Sequence, residues 1–211
     1  MDRLDLKEAS TLLGLLSEVF LDPEADPVGR LQCLAEETGD PLLREGAEGL
    51  KEALAEPREV AVAFVRLFLH ADRGETVHPY ESVHRSGRLM DPECLKELRL
   101  LYDAADIRPR EDLQVPPDHL GLELEFLAFL LEQASAAPEG STARRTWSAL
   151  ASRMAEEHLA PFADAFLARL NAADPHPAYR WAGRLLAHGL EAARRALGAE
   201  TSSAAGGSRR P

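Results

Sequence analysis

Residues 118–133 read DHLGLELEFLAFLLEQ, and this stretch decides the fold class. Its Leu and Phe side chains surround nearly the whole circumference of a helix, which is typical of a helix buried on most sides at the centre of a bundle. The alternation over 120–126 also fits a strand, but the apolar run continues to Leu131 without a β-branched residue. The pattern therefore predicts a central helix, which Asp118 can cap at its N terminus.

The rest of the chain repeats helical spacing between breaks at Pro and Gly. Helices are predicted over 4–21, 27–38, 41–55, 57–70, 91–102, 142–158, 160–171 and 177–197. No segment has a convincing strand pattern. We therefore expect an all-α protein, a single-domain helical bundle over residues 1–197. The small, polar tail at 198–211 is predicted to be disordered.

Two loops interrupt the helical pattern. Residues 71–90 read ADRGETVHPYESVHRSGRLM and are punctuated by Gly74, Pro79 and Gly87. Loops of this length are uncommon in compact domains unless they serve a function. The shorter loop at 136–141 could act as a hinge.

Charge narrows the class of partner. The 211 residues include 36 acidic and 24 basic side chains, which gives a formal net charge of −12. A nucleic-acid backbone or an anionic membrane surface would repel such a chain. A basic peptide or a basic protein patch would be attracted, mainly through a faster encounter.

The cysteines and the N-terminal sequence indicate the cytoplasm. Cys33 and Cys94 are far apart and form no CxxC pair, which argues against a zinc or iron–sulfur site and favours reduced thiols. The N-terminal segment carries acidic residues and lacks the long apolar run of a signal peptide. No apolar stretch reaches the roughly 18–20 residues that a membrane span needs.

Signals for catalysis or a metal are weak. The chain contains no HExxH, Walker A, GxGxxG or GxSxG motif. Glu75 and His78, and then Glu81 and His84, form two Glu-x-x-His pairs like those of di-iron bundles. Both pairs lie on one segment that Pro79 interrupts, so we predict no metal and no other cofactor. Catalytic groups scattered along the sequence stay possible.

Residues 111–139 are rich in acidic side chains and contain no Lys or Arg. A solvated helix face is the usual meaning of such a run. Glu123 is different, because its neighbours on both sides look buried, and a carboxylate in that setting needs a partner or a cleft. A cleft lined with carboxylates would suit a peptide that carries arginine.

Four motifs resemble those of the TorD/DmsD family of molybdoenzyme maturation chaperones, within the wider group that includes NarJ, the nitrate reductase delta subunit. They are FVRLF at 64–68, HPYESV at 78–83, PPDHLGLELEFL at 116–127 and EHLAPF at 157–162. The third is the most specific. The resemblance spans roughly residues 10–195 in the expected order.

The resemblance implies an all-α, non-catalytic, cytoplasmic chaperone. Such proteins bind the twin-arginine leader and the apo form of a molybdopterin oxidoreductase catalytic subunit, assist cofactor insertion and prevent premature export. The leader-binding positions carry over by motif, and Glu123 joins them through the acidic-cleft argument. The predicted site therefore consists of Phe64, Leu67, Phe68, Pro79, Tyr80, Ser82, Asp118, His119 and Glu123.

Departures from the family pattern leave several points open. His70 stands where many relatives have Gly, and His84 where they have an aromatic residue, so the leader preference is not fixed. The client enzyme and guanine nucleotide binding are not determined. Relatives exchange helices between chains, so both a monomer and a dimer exchanged about 136–141 are compatible. The alternative functions are a subunit retained in a redox complex and, less favoured, a metal-dependent bundle enzyme.

Overall fold

The computed structural model describes residues 4–70, 76–108 and 115–206, with side chains described as far as residue 200. Within these ranges the chain forms ten α-helices and no β-sheet, which confirms the predicted all-α class. The helices are α1 Leu6–Leu21, α2 Val28–Thr38, α3 Pro41–Ala53, α4 Pro57–Phe64, α5 Glu81–Ser86, α6 Pro92–Ala104, α7 Leu120–Ala136, α8 Thr142–Arg153, α9 Ala160–Ala172 and α10 Pro177–Gly206.

Two helices continue directly into short π-helical segments. α4 runs into a first π-turn at Val65–Leu69, and α8 runs into a second π-turn at Met154–Leu159, which leads straight into α9. Each π-turn overlaps one of the motif segments found in the sequence. Among the described residues, no helix combines the length and the apolar composition needed to cross a membrane.

Several helix starts follow from capping side chains. Asp5 and Glu8 form a reciprocal capping box at α1, and Asp40 and Asp91 accept amide hydrogen bonds at the starts of α3 and α6. α7 begins differently, because the Nδ1 atom of His119 accepts the Gly121 amide at 3.1 Å. The prediction that Asp118 caps α7 is therefore wrong.

α7 lies at the centre of the bundle, as its sequence predicts. It packs between α1 and α8, and α10 closes the other side of α1. Leu120, Leu124, Leu127 and Leu130 are wholly buried, whereas Glu125 is exposed. Each buried Leu contributes roughly 1.5–3 kcal/mol of transfer free energy, so this helix holds much of the core together.

A cluster of aromatic side chains fixes the first π-turn to the core. The Phe68 ring lies 5.2 Å from Tyr179 and is stacked on Phe166 at 6.2 Å, measured between ring centroids. Phe20 from α1 approaches Phe166 at 5.6 Å. Phe68 is therefore a core residue that joins four helical segments.

Two predicted segments differ from the structure. Residues 71–75 of the predicted 71–90 loop lie outside the described residues, 76–80 are extended, and 81–86 form α5 instead of loop. A six-residue helix that Gly87 ends at a φ of 72° is too short to give a periodic signal.

α10 continues to Gly206, beyond the domain boundary predicted at 197. The disordered tail stays a prediction, and residues 207–211 lie outside the described ranges. The hinge at 136–141, where α7 passes to α8, also stays a prediction.

Gly121 permits close packing between α7 and α1. A Cβ atom at this position would lie 2.5 Å from Leu21 Cγ and 3.1 Å from the Ser17 carbonyl oxygen. We expect Gly121→Ala to lower the free energy of unfolding by about 1–3 kcal/mol, because the two helices must separate. Gly29→Ala in α2 is the control, since its added Cβ would meet no described atom within 4 Å apart from its own helix backbone and chain neighbours. It should be neutral or stabilise by about 0.5 kcal/mol. Urea unfolding measures both, and equal effects would contradict this account of the contact.

Candidate functional site

The extended segment 76–80 crosses the start of α7 and brings two distant motifs together. Tyr80 and His119 form an isolated antiparallel bridge. The Glu81 amide donates to the Asp118 carbonyl at 2.9 Å, and the Leu120 amide donates to the Pro79 carbonyl at 2.8 Å. The rings of Tyr80 and His119 pack edge to face, with their centroids 5.2 Å apart. We call this region the junction.

Asp118 organises the chain that follows the junction. Its carboxylate is wholly buried, and Oδ2 accepts the Ser82 amide at 3.1 Å in the first turn of α5. The Ser82 hydroxyl oxygen in turn accepts the Met90 amide at 3.1 Å, where Met90 adopts a left-handed φ of 59°. Asp118 thus supports α5 rather than its own helix.

Glu81 is a buried carboxylate directly beneath the junction. Its Oε2 atom lies 3.0 Å from His158 Nδ1, and its Oε1 atom accepts from Arg85 at 3.0 Å. Burial on its own would raise the pKa of Glu81. Hydrogen bonding with His158 and the charge of that ring, together with hydrogen bonds from Cys94 and Glu123, lower the pKa instead. Glu81 is therefore ionised inside the protein.

Glu123 faces Glu81 from α7 and is also wholly buried. Burial, the charge of Glu81 and the charge of Asp118 raise its pKa well above the ordinary value. Its carboxyl group is consequently protonated, and its O–H can donate to the Glu81 carboxylate. In the described parts of the chain, no hydrogen-bond donor lies within reach of either of its oxygens. The partner that we expected for Glu123 is thus a second carboxyl group, that of Glu81. Because Glu123 is wholly buried, its side chain does not line an open cleft.

The remaining predicted residues adjoin the junction through the first π-turn. The Leu67 carbonyl accepts the Val77 amide at 2.8 Å, which ties the π-turn to the extended segment. Leu67 and Phe68 are buried, and Phe64 is half-buried beside Phe68.

Burial divides the predicted site. Phe64 and Tyr80 are partly exposed, whereas the other predicted residues are buried. The buried members are Leu67, Phe68, Pro79, Ser82, Asp118, His119 and Glu123. Burial lowers the pKa of His119 to about 4, so its ring is neutral at neutral pH. These side chains shape the site from within.

Sequence reasoning missed the apolar surface next to these residues. Val62, Val65 and Leu69 on α4 and the first π-turn are 50%, 46% and 60% exposed. We call them the outer strip. Cavities of about 570 and 380 Å³ adjoin it, and Val62 and Arg66 line both. The spacing of three and four residues was visible in the sequence as a second apolar face, opposite the one that packs inward.

Glu81 and His84, which form the second Glu-x-x-His pair, have partners within the protein. Glu81 is engaged by His158 and Arg85, and His84 Nε2 lies 2.8 Å from the His78 carbonyl oxygen. Glu75 lies outside the described residues. Across residues 4–70, 76–108 and 115–200, no group of three or more His, Cys, Asp or Glu side chains is placed to hold a metal ion.

Comparisons with known proteins match this chain to one family model and to several proteins that are named as chaperones. The family model described as nitrate reductase delta subunit matches residues 35–168, which include the junction, the outer strip and His158. The chaperone protein TorD of Vibrio cholerae is 31% identical over 127 residues, which are 60% of this chain and 57% of that protein. The chain thus spans less than two thirds of this relative's length.

Two further relatives carry assembly names. The selenate reductase assembly chaperone protein of Thauera selenatis is 37% identical over 123 residues, covering 58% of this chain and 62% of the relative. The chlorate reductase assembly chaperone protein of Ideonella dechloratans is 31% identical over 161 residues, covering 75% of each chain.

The Glu81 ion pair gives a stability prediction. We expect Glu81→Gln to lower the free energy of unfolding at neutral pH by about 3 kcal/mol, because His158 and Arg85 lose a buried anionic partner. The folded pKa of Glu81 lies below its ordinary value of 4.5, so the stabilisation is present above that value and is lost as the pH falls through the folded pKa. The variant should lack this acid-dependent loss.

Urea unfolding over a series of acidic to neutral buffers measures the effect of Glu81→Gln. The control is Glu97→Gln, which removes only the exposed partner that Arg85 contacts at 2.8 Å. An exposed pair of this kind contributes about 0–1 kcal/mol. If both variants changed stability equally at every pH, the buried ion pair would not have the role assigned to it.

Proposed function

The chain belongs to the nitrate reductase delta subunit family, and we propose that it is a non-catalytic assembly chaperone for the catalytic subunit of a molybdopterin oxidoreductase. The observation that carries this proposal is the set of relatives, each of which is named as a chaperone or an assembly chaperone. In this role the protein needs no cofactor of its own. The motif residues do not determine which enzyme the protein serves, so that choice depends on other parts of its surface.

We further propose that the protein acts in the cytoplasm, where it binds the twin-arginine leader and the apo form of the client before export. It would assist cofactor insertion and prevent premature export. The net charge of −12 supports attraction of an arginine-bearing segment. Exposed ion pairs contribute only about 0.2–1 kcal/mol each, whereas micromolar affinity requires about 8 kcal/mol. Most of the affinity must therefore come from apolar contacts.

The outer strip and its cavities are the surface that can supply those contacts. Val62, Val65 and Leu69 are each about half exposed, so covering them would contribute roughly 1 kcal/mol apiece. Phe64 and Tyr80 add partly exposed aromatic surface. On this proposal, the apolar run of the leader packs along the outer strip, and the buried motif residues hold the surface in shape.

A titration with a leader peptide tests both the proposed function and the proposed location of the binding surface. We expect an Arg-Arg leader with its apolar run to bind the wild type with micromolar affinity, and Leu69→Asp to weaken binding about tenfold or more, because a charge would face the apolar run. Leu100→Asp is the matched control, since Leu100 on α6 is 58% exposed against 60% for Leu69. Isothermal titration calorimetry gives the affinities, and thermal unfolding verifies that both variants fold.

The choice of exposed positions matters for this test. Phe68→Ala or Asp118→Ala would remove wholly or nearly buried groups, so reduced binding could reflect unfolding. Equal affinity of the wild type and Leu69→Asp would exclude the outer strip but retain leader recognition. A Lys-Lys leader of equal affinity would show that the arginines are not read specifically.

The family description also favours a second candidate, a subunit retained in a mature redox complex. That role requires a stable stoichiometric complex with the folded, cofactor-loaded enzyme. If such a complex formed while no leader bound, the retained-subunit function would replace the chaperone proposal.

A further inference from the structure

Three carboxyl groups lie close together without enough positive charge where the first turn of α5 meets the start of α7. Glu81, Asp118 and Glu123 are all wholly buried. The cations beside them are Arg85, which is shared with the exposed Glu97, and His158 when its ring is protonated. Three ionised carboxylates against at most two cations would leave a buried negative charge without compensation, which is strongly destabilising. One proton must therefore stay in the cluster.

We propose that Glu81 and Glu123 share this proton, and that the shared proton acts as a latch that holds segment 76–86 on α7 and makes client binding sensitive to pH. The link to client binding rests on the proposed function. The latch itself is a property of the free protein. It connects a buried pair of side chains to the junction, and through the junction to Tyr80 at the edge of the binding surface.

The surroundings assign the proton to Glu123. Glu81 already has donors in His158 and Arg85, and Asp118 accepts the Ser82 amide. Glu123 has no such donor among the residues that the structure describes. The titratable and charged groups around it are Glu81 and Arg85 from α5, Cys94, Glu97 and Tyr102 from α6, Asp118 and His119 at the start of α7, and His158 from the second π-turn.

The nearby thiol and phenol do not compete for this role. Burial, followed by the charges of neighbouring carboxylates, raises the pKa of both Cys94 and Tyr102, so each keeps its own proton. Glu123 is then the carboxyl group of the cluster that keeps its proton above the ordinary carboxyl range. Its raised pKa is consistent with this assignment.

The direction of the effect follows from linkage. The folded pKa of Glu123 lies above its ordinary value of 4.5, so the hydrogen bond to Glu81 is complete at low pH and is lost as the pH rises through the folded pKa. Above that pH, two carboxylates face each other in a medium of low polarity and repel. Segment 76–86 should then loosen from α7, and the client-binding surface should lose the support of the junction.

Amide hydrogen exchange of the free protein tests the latch directly. The reporters are the amides of Glu81, Ser82 and Leu120, which donate across the junction. After correction for intrinsic exchange rates, we expect their protection in the wild type to fall about tenfold or more as the pH rises through the folded pKa of Glu123. In Glu123→Gln the protection should stay constant, because the side-chain amide donates to Glu81 at every pH.

Glu125→Gln is the matched control, since Glu125 is exposed on the same helix. It should behave like the wild type. Carbon-13 NMR of labelled glutamate carboxyl groups adds a second measurement. One signal should titrate well above the ordinary range and should disappear in Glu123→Gln.

Two results would overturn the latch, namely junction protection that does not change with pH in the wild type, or an equal loss in Glu123→Gln. Leader titrations at two pH values separate this failure from failure of the proposed function. Leader binding that is independent of pH, together with constant protection, would exclude the latch and keep the chaperone. A pH-dependent junction in a protein that binds no leader would keep the latch and exclude the regulation of client binding.

Discussion

The carboxylate of Glu81 joins segments that are distant in the chain, and the functional region depends on it. From α5 it contacts His158 in the second π-turn, which is 77 residues away, and it faces Glu123 on α7. Burying this charge costs several kcal/mol unless every partner is in place. The ion pair therefore adds little net stability, but it penalises any packing of α5 that separates Glu81 from His158. We infer that it fixes where segment 76–86 lies, and with it the Tyr80–His119 bridge.

The two π-turns place the side chains that this arrangement requires. A π-helical turn changes the phase of a helix, so neighbouring residues point in directions that a regular helix would not give them. In the first π-turn, Leu67 and Phe68 face inward while Val65 and Leu69 face outward. In the second, His158 points into the core towards Glu81. Both sides of the proposed binding region thus depend on local departures from α-helical geometry.

The sequence predicted those features of the fold that local residue patterns determine. The central position of α7 followed from an apolar circumference, and the start of α6 followed from Asp91 and Pro92. The burial of Glu123 was readable from its neighbours, but its partner was not, because no local pattern indicates which distant side chain meets it. α5 was missed since six residues give too little periodicity. The motifs of the resemblance contain residues that the structure brings together at the junction. A motif gives the identity of a residue and not its exposure, so it could not show that Asp118 and Phe68 are buried.

This division between buried and exposed residues bears on how client preference can arise. The buried motif residues have a structural task, because Asp118 binds the Ser82 amide and Phe68 packs among four aromatic rings. The relatives are named for different enzymes, a selenate reductase and a chlorate reductase. The outer strip has no comparable packing task, so its side chains can change at little cost to stability. On the proposed function, discrimination between leaders should therefore be encoded in exposed residues such as Val65 and Leu69, while the buried junction supplies the common shape.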